Sequence, residues 1–435
     1  MTMRLGRVLM VVIILTGVAI AFVAAVSLRR VWRAQRAPLT ATVDRRLELV
    51  PPYGAPPTSS PASEVQTESP TPCPTAAREG VLFPLVKRQR PSATPSPTST
   101  PTSTSTPTST PTSTPTSTPA PTATPTLSWP PPLETPGRSK LGLHVQWNNS
   151  PEIMEFVRRM KPAVIKAVGD YGFLVEVKEV SPSTVTVARL DGSLEMQGDP
   201  VMAARTFVAQ NLDQYQRNAG VDYWEGLNEP QVRDRMAWYA AFEAERVRVL
   251  SEHGLRAAVG CFSAGVPEWD EFAAFLPAIE AARKHGGILT LHEYDAPTLD
   301  RSAGAGLPGH PNYPDRGALA LRYRWWYEDF LKPRGLVVPL VISEVAVDGG
   351  IPNRPGPTGR GWQDFVGHWA EQGLGQEGVR VYARQLAWYD AELQKDDYVI
   401  GFAVFTAGAM NDAWISYDIT HILRHIARYV VLAQS

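Results

Sequence analysis

The sequence predicts an α/β fold, a (β/α)8 barrel, preceded by an N-terminal transmembrane helix and a disordered stalk rich in Pro, Thr and Ser. Two observations predict the barrel. Eight short apolar runs alternate with longer amphipathic segments, which favours a parallel sheet. The stretch that contains them, residues 139–435, has the size of one such barrel, typically about 250 residues plus insertions. A doubly wound open sheet is the alternative, but no Gly-x-Gly-x-x-Gly motif follows the first strand.

Each predicted strand is a short apolar run. The strands are 141–146, 163–168, 184–190, 221–227, 256–262, 287–293, 337–343 and 398–405. The predicted helices between them have apolar residues at helical spacing. They are 150–160, 202–218, 234–253, 268–285, 318–332, 377–395 and 415–432. The segment 172–180 fits either a short helix or an irregular connection.

Residues 1–36 are predicted to be a membrane anchor. Residues 8–28 are uncharged and apolar, and they are long enough to cross the hydrocarbon core of a bilayer as a helix, with arginines on both sides. We therefore expect a single-pass membrane protein. A cleavable signal peptide is the alternative, which would release a secreted protein.

Residues 37–138 are predicted to be a disordered linker. They show no periodic apolar pattern, and 92–126 consists almost entirely of Pro, Thr and Ser. Such a composition cannot bury a core and is typical of stalks that hold a domain away from a membrane. Because a stalk that holds a domain away from the membrane is expected on the outside of the cell, we expect the domain 139–435 to be extracytoplasmic.

The composition excludes several classes of partner and cofactor. A formal net charge of -1 argues against nucleic acid, which needs a basic surface. With Cys73 and Cys261 as the two cysteines, neither a disulfide scaffold nor a cysteine-based zinc site is expected. The eight histidines are scattered, and we predict no metal and no cofactor.

Polar residues stand where three predicted strands end. The fourth strand runs into Asn-Glu-Pro at 228–230, the sixth into His-Glu-Tyr at 292–294, and Glu344 ends the seventh. In a (β/α)8 barrel these strand ends form the mouth where function is concentrated. Two carboxylates on opposite sides of the mouth can flank one bond of a substrate, one as proton donor and one as nucleophile.

This combination resembles the retaining glycoside hydrolases of clan A, including the cellulase-like family five and family 39. The resemblance implies hydrolysis of O-glycosidic bonds in a poly- or oligosaccharide by double displacement. It implies that Glu229 is the acid/base, Glu344 the nucleophile and Asn228 the partner of the sugar 2-hydroxyl. It also places His292 and Tyr294 in the substrate site, with Tyr294 hydrogen-bonded to the nucleophile.

The sequence departs from the clan pattern at two places. Many members carry an arginine near the end of strand two, where this chain has Lys166; Arg189, at the end of strand three, is a possible substitute. Many also end strand eight with a sugar-stacking tryptophan, whereas Trp414 lies beyond that strand here. These departures leave a catalytically weak or silent carbohydrate-binding barrel as an alternative function. A transglycosylase, which would share the covalent intermediate, is a second alternative.

Aromatic side chains are expected to form the sugar platform, because the C–H faces of pyranose rings stack on π faces. The candidates are Trp147, Trp224, Trp362 and Trp414. Trp362 lies in the segment 349–375, which is rich in Gly and Pro and is predicted to cover the cleft. Glu225, inside the fourth strand, is expected to be a buried and paired structural carboxylate.

Overall fold

The computed structural model describes residues 127–432. Within them, eight parallel strands pair in sequence order and close when β8 pairs with β1. The strands are β1 Leu141–Val145, β2 Val164–Val168, β3 Val185–Arg189, β4 Tyr223–Glu225, β5 Ala257–Phe262, β6 Ile288–Asp295, β7 Leu340–Val347 and β8 Val399–Ala407. The predicted (β/α)8 barrel is confirmed.

The seventh strand is displaced from its prediction. It begins at Leu340 instead of residue 337, because Pro339 just before it has no N–H to donate to a sheet. It continues to Val347, so that Glu344 lies inside the strand and not at its end.

Helices occupy the connections. They are α1 Pro151–Met160, α2 Leu174–Val180, α3 Pro200–Arg217, α4 Met236–Glu252, α5 Trp269–Lys284, α6 Tyr323–Trp326, α7 Val366–Glu371, α8 Gly378–Leu393 and α9 Leu423–Leu432. Local sequence explains where some begin. Ser150 caps α1 by accepting the N–H of Glu152, and Asp199 caps α3 in the same way. A proline occupies the first turn of both helices.

Two predicted helices are shorter than expected. The segment 318–332 becomes α-helical only at Tyr323 and continues as a π-helical turn from Tyr327. Residues 318–322 form turns and not an α-helix, because the Glu293 carboxylate accepts the N–H of Leu321 and of Tyr323. Leu321 has a positive φ of 59°, which ends helical geometry there. The segment 415–432 begins as two 3-10 turns before α9.

The barrel interior has an apolar floor and a charged layer above it. The floor is formed by Val164, Val187, Ala258, Ile288, Val341 and Ala403. Side chains two residues apart on a strand share a face. Lys166 and Arg189 therefore point inward above Val164 and Val187, and Glu225 points inward on β4.

The packed domain begins before the predicted boundary at residue 139. The N–H of Leu133 donates to the carbonyl of Arg159 at the end of α1, 2.7 Å away. On α9, the Arg424 guanidinium lies over the Trp129 ring at 5.5 Å and donates to the carbonyl of Leu127. Residues 127–138 were predicted to be linker, but these contacts make them part of the domain.

No helix within residues 127–432 is both long and apolar enough to cross a bilayer. The predicted anchor at 8–28, and the predicted stalk up to residue 126, lie outside the described residues.

Candidate active site

Glu344 lies in the charged layer of the barrel at an irregular place in β7. Its register partner on β6 is His292, and the pairing of β7 with β8 shifts between Ile342 and Val345. Such irregularities re-aim side chains and are common beside active sites. The Glu344 side chain is 7% exposed.

Both carboxylate oxygens of Glu344 have donors. Lys166 Nζ lies 2.7 Å and Arg189 Nη1 3.1 Å from its Oε1, and the Tyr294 hydroxyl donates to Oε2 at 2.7 Å. Burial alone would raise the pKa of Glu344, but the positive charges of His292, Lys166 and Arg189 hold that pKa well below its usual value. The carboxylate is therefore ionised across the physiological range.

Glu229 stands in the loop after β4 in a conformation that few non-glycine residues adopt. Its φ is 43°, and its N–H donates to the carbonyl of Cys261 at 2.9 Å. Cys261 itself has a φ of 50°. Left-handed conformations of this kind cost energy and are held by their surroundings, often at functional sites. The Glu229 side chain is 24% exposed, far more than that of Glu344.

His292 bridges the two glutamates. Its Nδ1 lies 2.9 Å from Glu229 Oε1, and its Nε2 lies 3.5 Å from Glu344 Oε1. Glu229, His292 and Glu344 each offer one polar atom within 4.8 Å of the others. Burial would lower the pKa of His292, but the Glu344 carboxylate outweighs this effect and raises that pKa to about 10. The imidazole is therefore charged; its Nδ1 donates to Glu229, and its Nε2 forms an ion pair with Glu344.

His144 is a second imidazole near Glu344, but it is not an ionic partner. Its Nε2 lies 3.6 Å from Glu344 Oε1, and its Nδ1 is hydrogen-bonded to Thr406 Oγ1. Burial is the main cause that lowers the pKa of His144 to about 3; the Glu344 carboxylate opposes this effect, and the cations Lys166 and Arg189 add to it. The ring is neutral at physiological pH.

Within residues 127–432, two groups of side chains have the spacing of metal ligands. They are Glu225 with Cys261 and His292, and Glu229 with His292 and Glu344. The Lys166 ammonium already lies 3.0 Å from a Glu225 oxygen and 2.7 Å from a Glu344 oxygen. Repulsion by this fixed cation disfavours a metal ion at either group.

Three further predicted residues lie around the mouth. Asn228 is exposed next to Glu229, and its Oδ1 lies 3.8 Å from the Cys261 thiol. Trp147, just after β1, is 55% exposed. Trp414 is partly buried, with its ring 5.2 Å from that of Phe405 at the end of β8.

Two predicted platform tryptophans do not reach the cleft. Trp362 is 2% exposed and stacks on Tyr382 of α8 at 5.1 Å, so it packs its segment onto a helix. Trp224 is 1% exposed and packs against Tyr215 of α3. Its neighbour Glu225 points inward, and strand alternation therefore turns Trp224 outward.

Sequence reasoning missed three residues of the site. Phe405 packs 6.1 Å from Tyr294 and 4.8 Å from His144, measured between ring centroids. Cys261 Sγ lies 3.5 Å from His292 Nε2. Glu225 is buried and paired as predicted, but its partner is Lys166, which also contacts Glu344. The inward alternation of β4 is the signal that could have placed Glu225 here; nothing in the sequence marks Cys261.

Comparisons with known proteins find similarity among solved structures only. No protein-family model and no curated protein matches the chain. A family 39 glycoside hydrolase from Bacteroides cellulosilyticus WH2 is 12% identical, with a TM-score of 0.43 over 68% of this chain. The match spans 65% of that enzyme, just under two thirds of its length.

Two other similar structures are glycoside hydrolases as well. A GH128 (subgroup II) endo-β-1,3-glucanase from Pseudomonas viridiflava is 15% identical, with a TM-score of 0.36 over 67% of this chain and 96% of that one. An endoglucanase from Pseudomonas stutzeri is 12% identical, with a TM-score of 0.37 over 69% and 97%. At these identities and TM-scores, neither an activity nor a substrate can be transferred to this chain.

Proposed function

We propose that the barrel is a retaining glycoside hydrolase that cleaves O-glycosidic bonds of a poly- or oligosaccharide by double displacement. The observation that carries the proposal is the unequal pair of glutamates at the barrel mouth. Glu344 is buried and ion-paired, Glu229 is partly exposed, and each offers an oxygen within 4.8 Å of the other. That spacing fits the separation of about 5–5.5 Å between retaining carboxyl groups better than the about 6.5–9.5 Å of inverting ones.

In the first step, Glu344 attacks the anomeric carbon while Glu229 donates a proton to the departing oxygen. The C–O bond to the leaving group breaks as the bond to Glu344 forms, and a glycosyl-enzyme results. In the second step, Glu229 takes a proton from water, and the water oxygen displaces Glu344. Lys166, Arg189 and Tyr294 favour this assignment, because their contacts keep Glu344 ionised as a nucleophile must be.

The remaining residues would bind the sugar. Asn228 is exposed beside Glu229 and can hydrogen-bond a hydroxyl at the reacting ring. Trp147 presents an exposed indole, and Trp414 lies against Phe405. Both can therefore stack on pyranose faces. A silent binding barrel would need these aromatic residues but not two carboxylates in contrasting environments, which supports an enzyme.

The test is turnover of a panel of aryl β-glycosides and polysaccharides. We expect Glu344→Ala to lose more than about a thousand-fold in kcat, and azide to restore turnover with inverted product configuration. A 2-deoxy-2-fluoro glycoside should label the peptide that contains Glu344. Binding of a polysaccharide without any turnover would indicate a binding protein instead, and longer products with an added acceptor would indicate a transglycosylase.

For localisation, we propose that residues 8–28 anchor the chain and hold the barrel outside the cytoplasm. The support is the uncharged apolar run and the Pro/Thr/Ser-rich stretch that follows it. Full-length protein should stay with membranes after carbonate extraction, and protease added to intact cells should digest the barrel. A soluble protein with a new N-terminus would show that the segment is a cleaved signal peptide.

A further inference from the structure

A third carboxylate, Glu225, lies inside the barrel close to the proposed nucleophile. Its side chain has no solvent exposure. Its Oε2 lies 3.0 Å from Lys166 Nζ and 3.7 Å from Arg189 Nη1. The same two atoms lie 2.7 Å and 3.1 Å from Glu344 Oε1. The two cations are therefore held between two glutamates.

The titratable groups inside the barrel that face Glu225 come from five strands. They are Lys166 on β2, Arg189 on β3, Cys261 on β5, His292 on β6 and Glu344 on β7. Behind β4, the α4 residues Tyr239, Glu243 and Arg246 also interact with this region, and Glu243 is paired with Arg246. Without the Glu225 charge, Lys166 and Arg189 would have Glu344 as their one carboxylate partner in this layer. Coulombic attraction is strong in such a buried site. A carboxylate that is held so tightly is a poor nucleophile, because attack must draw its negative charge away from both cations.

We propose that Glu225 is a positioning residue that shares the charge of Lys166 and Arg189, so that Glu344 stays ionised yet able to attack. The proposal rests on the proposed function, because it assigns Glu225 a part in the same reaction. A purely structural Glu225 would affect folding but not the reactivity of Glu344.

Two substitutions separate charge from shape in the full-length protein. Glu225→Gln keeps the shape and removes the charge, whereas Glu225→Asp keeps the charge on a shorter side chain. For an aryl β-glycoside that the wild type hydrolyses, we expect Glu225→Gln to lose about tenfold or more in kcat with KM nearly unchanged. Its rate of labelling by a 2-deoxy-2-fluoro glycoside should fall similarly. Glu225→Asp should retain more activity than Glu225→Gln.

Asp396→Asn is the matched control. Asp396 and Arg324 form another largely buried ion pair, with 2.8 Å between Oδ2 and Nη2, outside the barrel. Its loss should lower stability without changing kcat or the labelling rate. The proposal is overturned if Glu225→Gln turns over like the wild type, if it is more active than Glu225→Asp, or if Asp396→Asn loses as much kcat.

A measurement without turnover keeps the two proposals apart. The carboxyl 13C resonance of Glu344, assigned with Glu344→Gln, can be titrated in both proteins. We expect the midpoint in Glu225→Gln to be lower than in the wild type, because both cations then act on Glu344. An unchanged midpoint overturns the charge sharing. A lowered midpoint in a protein that hydrolyses no glycoside supports the charge sharing and contradicts the proposed function.

Discussion

Glu344 is the side chain whose charge the surrounding residues control most closely. Lys166 and Arg189 neutralise one of its oxygens, and the Tyr294 hydroxyl donates to the other. Each donor is fixed on a strand of the barrel, so the proposed attack by Glu344 would need little reorganisation as the charge of the carboxylate changes. Substitutions that remove one of these donors should therefore have large effects on the reaction rate.

Tyr294→Phe tests the neutral donor. It removes a 2.7 Å hydrogen bond to Glu344 Oε2, and we expect kcat to fall by about a hundredfold with a small change in KM. Because the lost donor favoured the ionised form, the acid limb of kcat/KM should move to higher pH. Tyr389→Phe removes a similar bond to Glu293 outside the barrel and should leave the pH profile unchanged. Equal profiles for all three proteins would contradict the assignment.

Lys166→Met tests the buried cation. It removes one of the two cations that Glu225 and Glu344 share, and breaking a buried pair costs about 3–5 kcal/mol. We expect the free energy of unfolding, measured with urea, to fall by that amount. Lys178→Met breaks a partly exposed pair with Asp222 and should cost about 1 kcal/mol or less. Similar losses in the two variants would show that burial does not set the cost.

At the scale of the element, β6 serves both sides of the barrel wall. His292 and Tyr294 point into the site, whereas Glu293 points outward and holds the segment before α6 through the N–H groups of Leu321 and Tyr323. A single strand thus places the residues around Glu344 and sets where a helix begins. The pKa of this outward residue, Glu293, is also raised above its usual value.

Burial raises the pKa of Glu293 from 4.5 to about 7, although Tyr389 and three backbone N–H groups favour the ionised form. The folded protein therefore binds this proton more tightly than the unfolded chain does. Its contribution to stability is present below pH 4.5 and is lost as the pH rises through about 7, up to about 3 kcal/mol. We expect Glu293→Gln to remove this slope from the free energy of unfolding between pH 4.5 and 7. An unchanged slope would assign it to other groups.

At the scale of the whole molecule, the barrel includes the chain that leads into it. Residues from Leu127 onward lie along α1 and α9, and Arg424 covers the Trp129 ring. The last residues of the predicted linker, 127–138, thus pack against the barrel wall before the chain enters β1.

Trp129→Ala tests this attachment in the full-length protein. The substitution removes partly buried apolar surface and a cation–π contact, and should lower the free energy of unfolding by about 1–2 kcal/mol. Since Trp129 makes its contacts on the barrel wall, kcat and KM should not change. Trp147→Ala should show the opposite pattern, a higher KM with little loss of stability, because Trp147 is 55% exposed at the mouth. A loss of kcat in Trp129→Ala would contradict a purely structural attachment.

Local sequence patterns were sufficient to predict the architecture. Eight apolar runs alternate with amphipathic segments along the chain. Short-range periodicity then fixes which face of each strand is buried. For the same reason, Glu229, Glu344, His292 and Tyr294 could be assigned to the mouth, since parallel strands all end at one side of a barrel. These inferences need no knowledge of how distant residues meet.

Tertiary structure decided the electrostatics and the shape of the cleft. Lys166 and Glu344 are 178 positions apart, and their 2.7 Å contact, together with that of Arg189 at the same oxygen, follows only from barrel closure. Closure likewise brings Glu225 to the far side of both cations. Trp362 and Trp147 both lie in connections that follow strands, yet one is buried against a helix and the other is exposed. Loop paths depend on long-range packing that periodicity does not encode.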